Sequence, residues 1–475
     1  MVDENRLLYD RQRIISALTA ARIEKGLSQQ ALADMIGTKR SNICRIEAGG
    51  QNISLDTLLK ISAALGKDVS FVLNERKDEM DNEITNYSLR LYDDELLTFS
   101  LHKEGLAGLK AKILSVNEQF KPLFPLDLDV DDTGVAKWLQ GRIIPKNRTF
   151  VGEILAQLGL TIDDTKGIID VCKGLSLNDS YWVVPLGFDG KYADYNLYEN
   201  RFSEVLSLVA YTGNAGSHEA FTTSPEFTTN GVLPKAWRYI EDDGIYLYKG
   251  GTSGGINTGK EPYSEYYAYQ VAERMGLNAV YYDLENWKGI LASKCKLFTD
   301  IDTAFVPTGR IVKSGGIAAC LDFYESIGKQ ALEDFKDMLV FDAVIYNDDR
   351  HYSNFGVMRD NHTGKIIAAA PIFDNGRSLF SEAMPEYFNN IGEYAKTRTN
   401  PYGVSYDTIC KEIMGDRQRR NLRKLVDFTF KRHPTLNLPE KRLTAIEDQI
   451  QVRVRELLAL PRARTRMKSE SEPER

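Results

Sequence analysis

FDAVIYNDDRHYSNFGVM, residues 341–358, and AAAPIFDNGRSLF, residues 368–380, decide how this chain is read. They include two short β-like pieces, NFGVMRD and KIIAAAPIFDNG, in a stretch beyond residue 330 where helix signals otherwise dominate. Phosphoryl transfer needs a carboxylate to orient and deprotonate the attacking hydroxyl, and an amide plus a second carboxylate to hold Mg²⁺ against the phosphates. Asp349 and Asn354 stand five apart, and Asp374 follows Asp349 by 25 residues, after a short hairpin, inside Ile-Phe-Asp-Asn-Gly. Asp349 is therefore the candidate base, and Asn354 and Asp374 are the candidate metal ligands. Singly, Asp and Asn in loops cap helices or make turns; their order and spacing together point to phosphotransfer. His351, between the two, reads as a structural residue that hydrogen-bonds the loop and the Asp374 segment, because one base suffices. Arg350 reads as an anchor of the loop through a carboxylate.

The same chemistry needs a lysine on a strand to hold phosphate, a helix carboxylate to orient that lysine, and backbone N–H groups over the nucleotide. Lys249 closes GIYLYK, the second arm of the hairpin-like RYIEDDGIYLYKGG, and Glu265 lies at the start of the helical SEYYAYQVAERMG. The alternative for Lys249 is a solvated strand-end lysine. Tyr266 and Tyr267 read as packing residues of that helix. TSPEFTTNGVLPKAWR, residues 223–238, supplies small residues and Gly231 just before a strand, with Lys235 at its end. GGTSGGINTGK, residues 250–260, lacks the Walker pattern and follows the lysine, so it reads as a flexible connection.

The first 75 residues hold only helix signals. RIISALTAARIEKG stops at Gly26, Ser28 caps QQALADMI before Gly37, Thr38 opens KRSNICRIEA before Gly49 and Gly50, and Ser54 opens LDTLLKISAAL before Gly66. Four short helices with a three-residue turn, Ile36 to Thr38, form the helix-turn-helix pattern. Ile43 and Ile46, three apart, turn Lys39, Arg40, Asn42 and Arg45 outward together with Thr38, a face that can enter a major groove. Gln29 is placed to hold a phosphate. The alternative is a solvated face of a small protein-binding bundle.

The chain has 475 residues, 43% apolar and 27% charged, the composition of an ordinary globular protein of several domains. No apolar run approaches the roughly 20 residues of a membrane span, and the charged start is unlike a signal peptide, so a cytoplasmic protein is expected. The five cysteines are scattered without zinc spacing and are expected to stay reduced. Residues 1–78 carry 12 Lys+Arg against 10 Asp+Glu, so the net charge of −7 leaves −9 on the remainder. Any DNA contact must then come from a local patch. NERKDEMDNEITN marks a linker, and ALPRARTRMKSESEPER reads as a solvated tail.

SQQALADMIGTKRSNICRIEAGGQNISLDTLLKISAALG resembles the Cro/repressor-like (XRE-type) helix-turn-helix family, which implies binding of double-stranded operator DNA as a homodimer through or near this domain. Residues about 180–450 resemble the HipA-like serine/threonine kinases, often toxins paired with a separate repressor-like antitoxin. DRHYSN is also similar to the catalytic motif of phosphoinositide and related lipid kinases. The resemblance implies Asp349 as base, Asn354 and Asp374 on Mg²⁺, Lys249 on the ATP phosphates with Glu265 as its partner, and a phosphate-covering loop at SPEFTTNG that includes Thr228, Thr229 and Gly231, followed by Lys235. It further implies autophosphorylation in that loop. Counting seven residues back from Lys235 gives Thr228, with Thr229 and Ser224 as competitors; the alternative is that these hydroxyls cap turns.

The expected architecture is an all-α helix-turn-helix domain followed by an α+β bilobal protein-kinase-like domain. Its expected parts are 1–75 for DNA binding, a 76–90 linker, 91–320 as an N-terminal subdomain and N-lobe, 321–460 as a helical C-lobe, and a 461–475 tail. The expected function is ATP- and Mg²⁺-dependent phosphorylation of a protein serine or threonine by an autoregulated, toxin–antitoxin-like regulator. Two rivals stay open: a repressor that only senses nucleotide, and a small-molecule or lipid kinase.

Overall fold

The computed structural model describes residues 15, 18–19, 21–22, 25, 27–47, 53–67, 85–103, 109–156, 160, 162, 164–202, 204–213, 224–229, 231–254 and 257–461. Residues 76–84 of the expected linker, the expected stops Gly26, Gly49 and Gly50, and tail residues 462–475 lie outside this set.

In the N-terminal region three helices are complete: Gln29–Met35, Arg40–Glu47 and Leu55–Leu65. Ser28 and Ser54 cap the first and third, accepting the N–H groups of Ala31 at 3.0 Å and Thr57 at 3.2 Å. Gly66 ends the third in the left-handed region, at φ 68°, where the absence of a Cβ removes the steric cost. Leu32, Ala33, Ile43, Ile46, Ile61 and Leu65 close a small apolar core of their own.

Four antiparallel strands follow: β1 (Thr85–Leu91), β2 (Asp94–Lys103), β3 (Leu109–Val116) and β4 (Tyr181–Pro185), in the order β3-β2-β1-β4. The expected linker ends at residue 90, yet residues 85–90 are part of β1, which begins three residues before the strand-like SLRLY. Tyr87, Leu89 and Leu91 alternate inward there and are nearly fully buried, which fixes the strand despite its polar neighbours. Helices Asp132–Gln140, Val151–Ala156 and Thr165–Cys172 add Trp138, Leu139, Ile154 and Ile169 to the core of this sheet.

A second sheet takes β5 (Lys235–Ile240), β6 (Gly244–Lys249), β7 (Tyr282–Trp287) and β8 (Ile290–Lys296) in the order β5-β6-β8-β7. A third joins β9 (Thr303–Pro307), β10 (Gly356–Asp360) and β11 (Ile366–Ala369) in the order β11-β10-β9. The strand-like stretches SLRLY, LLTFSLH and YWVVPLG fall largely in β1, β2 and β4, whereas β3, β7, β8 and β9 carry no plain strand pattern in the sequence. The helix Lys329–Ile345 runs through the largest core with Phe335, Leu339, Val340, Phe341 and Val344 all buried, and stops at Tyr346 in the left-handed region, φ 52°. The border expected at residue 320 falls inside the helix Gly316–Ile327, whose Cys320 and Tyr324 pack in this same C-terminal core. The molecule is thus a helical N-terminal region followed by an α+β region. The five cysteines are free, and among the described residues no helix is long and apolar enough to cross a membrane.

Candidate active site

Lys249 ends β6 and faces the helix Glu261–Met275, which Pro262 opens in its first turn with φ already set for helix. Glu265 sits one turn in. The Lys249 ammonium donates to Glu265 Oε1 at 2.8 Å and to Asp374 Oδ1 at 2.5 Å. Glu265 uses its other oxygen, Oε2, to accept the Asn375 N–H at 2.6 Å, so one carboxylate ties strand, helix and the Asp374 loop together. Asp374 is held in the left-handed region at φ 57°, with its N–H donating to the Tyr282 hydroxyl at 3.2 Å. Short polar side chains tolerate that conformation better than bulky ones, so an Asp fits there.

The loop after the long helix is fastened from below by Arg350, whose side chain is fully buried. Its guanidinium pairs with Asp342 at 3.0 Å and donates to the Asn354 carbonyl at 3.0 Å, to Asn375 Oδ1 at 2.5 Å and to the Phe373 carbonyl. The anchor expected from sequence is therefore Asp342, and the same arginine joins the Asp349 loop to the Asp374 loop. Asn354 donates through Nδ2 to the Asp349 carbonyl at 3.0 Å, so a metal would meet its other amide atom, Oδ1. His351 is exposed and accepts the Ser353 N–H at 3.2 Å, and its expected bond to the Asp374 segment is not among its contacts. Tyr267 is buried, and Tyr266 stacks edge-on against it.

The charges act on one another strongly. Burial pushes the Asp374 carboxyl up, but the Lys249 and Lys235 ammoniums outweigh it and hold Asp374 at about 2. Burial disfavours the Lys249 ammonium, yet Asp374 and Glu265 raise its pKa well above the usual lysine value. Burial raises Asp349 above an ordinary aspartate; His351 opposes this, and the Asp374 charge adds to it. Lys235 lies opposite Lys249 in the β5–β6 register, and burial beside that second cation lowers it to about 7. Two buried lysines on neighbouring strands, with Asp374 and Glu265 on Lys249, make a site suited to an incoming polyanion.

The segment expected to cover the phosphates is folded inward. Ser224 is buried and caps the short helix Pro225–Phe227, accepting the Glu226 N–H at 3.3 Å. Thr228 is buried and donates to the Leu175 carbonyl at 2.8 Å, while Thr229 donates to the Pro225 carbonyl at 2.7 Å and accepts from the Trp237 indole at 2.9 Å. Gly231 has φ 94°, and a Cβ there would meet the Lys235 ammonium at 2.1 Å. Of the segment expected to be flexible, residues 250–254 and 257–260 are described, and each is tied down: the Thr252 N–H donates to Glu261 at 3.2 Å, and the Asn257 amide donates to the Glu382 and Ala383 carbonyls at 2.6 and 2.8 Å.

In the N-terminal region Arg40 and Arg45 are exposed on the helix Arg40–Glu47, and Lys39 is exposed just before it. Asn42 donates to Thr38 at 2.9 Å and accepts from Arg45 at 2.7 Å, so the candidate reading residues are linked to one another. The Gln29 amide donates to Glu47 at 2.8 Å, and Glu47 is also gripped by Arg22 at 2.6 Å. Sequence reasoning missed Arg148, Glu226, Asp342 and Tyr282. Asp342 was findable as an acidic residue within an apolar helical run. Arg148 and Glu226, 78 residues apart, carry no local signal.

Residues 18–72 match the helix-turn-helix family. An uncharacterized HTH-type transcriptional regulator of Haemophilus influenzae is 44% identical over 62 residues, 13% of this chain and 63% of that protein. The serine/threonine-protein kinase CtkA of Helicobacter pylori is 28% identical over 170 residues, 32% of this chain and 52% of the kinase. The chain joins a helix-turn-helix region to a region similar in sequence to the kinase CtkA. It spans less than two thirds of the length of these two curated relatives. Among solved structures, the H. pylori proinflammatory kinase CtkA aligns at 17% identity and a TM-score of 0.37, covering 47% of this chain and 92% of the kinase. The Shewanella oneidensis HipA, HipB and operator DNA complex aligns at 12% identity and a TM-score of 0.47, covering 78% of this chain and 99% of that one.

In the kinase-like region, the donor set also bears on a metal. Among the described residues no group of three or more His, Cys, Asp or Glu could hold an ion, so an all-protein cage is absent. One carboxylate and one amide oxygen, both hard donors, match Mg²⁺, which keeps several of its waters and takes one or two protein ligands.

Proposed function

We propose that the chain is an ATP- and Mg²⁺-dependent serine/threonine protein kinase whose helix-turn-helix region binds operator DNA as a dimer, making it an autoregulated regulator of the toxin–antitoxin type. The observation that carries this reading is the buried Lys249–Glu265 pair at 2.8 Å, with Asp374 on the same ammonium at 2.5 Å. In this reading Lys249 and Lys235 hold the phosphates, and Glu265 keeps Lys249 charged and aimed. Asp349, with its pKa raised by burial, takes the proton of the substrate hydroxyl. Asp374 and Asn354 Oδ1 would hold Mg²⁺, which when bound neutralises phosphate charge. Arg350, gripping both loops, fixes the distance between base and metal ligands.

Thr228 is proposed as a self-modification site, with Thr229 and Ser224 as alternatives. All three hydroxyls make hydrogen bonds in the inward loop, so modification requires that the loop first swing out. A phosphate adds about −1.5 to −2 charges and would oppose its return beside ATP phosphates. Exposed Lys39, Arg40 and Arg45, with Thr38, Asn42 and Gln29, are proposed to meet DNA.

The test is transfer of radiolabel from Mg-ATP into lysate protein, run beside lipid extracts and the chain itself. Label in protein serine or threonine is expected. Label only in lipid would make the chain a lipid kinase, and ATP binding without transfer would make it a nucleotide sensor.

A further inference from the structure

The sheet module formed by residues 85–185 carries none of the chemistry above, yet it supplies the guanidinium that holds the 224–235 segment. Arg148 and Glu226 form an ion pair in which both side chains have 0% exposure. The same guanidinium donates through Nη1 to the carbonyls of Glu226 at 2.6 Å and Thr229 at 3.4 Å, and through Nη2 to the carbonyl of Lys235 at 3.0 Å. One side chain thus touches the beginning, middle and end of the segment.

Its neighbours repeat the grip. The Thr149 N–H and hydroxyl both donate to the Val232 carbonyl, at 2.9 and 2.7 Å. Glu226 passes the constraint on by accepting the Trp237 N–H at 2.7 Å, in the strand that begins with Lys235. Phe150, next in sequence, is an aromatic residue held at φ 62°, and its ring lies where a Cβ on Gly213 would meet it at 2.5 Å. Backbone strain of this kind persists only where the surroundings enforce it.

We infer that Arg148 is a positioning residue for nucleotide binding: from the module preceding the kinase-like region it clamps the 224–235 segment inward, which sets the position of the strand that Lys235 begins, opposite Lys249. This rests on the proposal that the segment covers the nucleotide. Without Arg148, the buried Glu226 carboxylate loses its ion-pair partner and three carbonyls lose a donor, conditions that favour expelling the loop. The clamp acts on binding rather than on the base, since Asp349 is held by the separate Arg350 network.

The experiment uses the full chain as wild type, Arg148→Met, Arg148→Lys, and Arg148→Met combined with Glu226→Gln. Hydrogen exchange across residues 224–235 is read without nucleotide; ATP affinity, KM and kcat are read on the same samples. Arg148→Met is expected to lose protection in the segment and to bind ATP at least tenfold more weakly, with KM rising far more than kcat falls. The double variant, freed of the buried carboxylate that has lost its arginine, and Arg148→Lys, which keeps a cation at that position, should recover part of both. Wild-type protection and affinity in Arg148→Met would overturn the clamp. Loss of protection in a chain whose wild type binds no ATP would keep the clamp and overturn its nucleotide role. Should Arg148→Met fail to fold, Glu226→Gln alone must shift exchange and affinity in the same direction, and its failure to do so counts against the inference.

Discussion

Lysine, arginine and asparagine are used in opposite ways at the two functional regions. Around Lys249, Arg350 and Asn354 they are buried and committed to carboxylates and carbonyls. Along residues 39–45, Lys39, Arg40 and Arg45 face solvent, and Arg45 links to the half-buried Asn42. Buried charge fixes geometry, because moving it would leave a partner unsatisfied in a poor solvent for ions. Exposed charge fixes little, but it can release counterions from a nucleic acid.

That contrast predicts a graded series of effects. Arg350→Met should be the most damaging: it strands Asp342 and cuts both loops loose, and denaturant unfolding should report a loss of about 3–5 kcal/mol. Asp374→Asn should keep the fold and lower kcat by about 10²- to 10³-fold, the scale of removing one positioned electrostatic group. Calorimetry should also show weaker Mg-ATP binding in that variant. The Lys39→Ala, Arg45→Ala pair should leave stability unchanged. Each lost base contact should cost about 1–3 kcal/mol of operator discrimination, and each lost phosphate contact should flatten the salt dependence in gel shifts with the chain's own promoter. Equal binding by that double variant would dissolve the contrast from the exposed side.

The smallest effect is in pH. Asp374 is lowered from 3.8 to about 2, so its stabilising contribution is complete above 3.8 and lost as pH falls toward 2. Asp349 is raised above 3.8, so as a base it should lose activity at a pH where Asp374 is still ionised. The acid limb of the rate profile should therefore lie above the acid limb of stability at this site.

Much of this was legible in the sequence, and for physical reasons. Helix caps are local, so Ser28, Ser54 and Gly66 could be read from single positions and their neighbours. The Asp349, Asn354 and Asp374 spacing belongs to one hairpin and its flanks, and Lys249 ends a hairpin whose alternation is plain. β3, β7, β8 and β9 escaped because their burial depends on partners elsewhere in the chain; Leu114 and Ile290 in β3 and β8 are exposed and give no clean alternation. The linker was read too long because Thr85 and Asn86 are polar, although Tyr87, Leu89 and Leu91 point into a core. Arg148 could not be found at all, since its meaning lies in a carboxylate 78 residues away.

The account stands or falls most directly on Asp349→Asn, with ATP binding and phosphate transfer measured on one preparation beside wild type. The substitution leaves the Lys249, Glu265 and Asp374 cluster intact and replaces only the group that accepts the proton. The account predicts wild-type ATP affinity with transfer reduced by about 10²- to 10⁴-fold, the usual worth of a positioned base. Transfer at the wild-type rate in Asp349→Asn would contradict it.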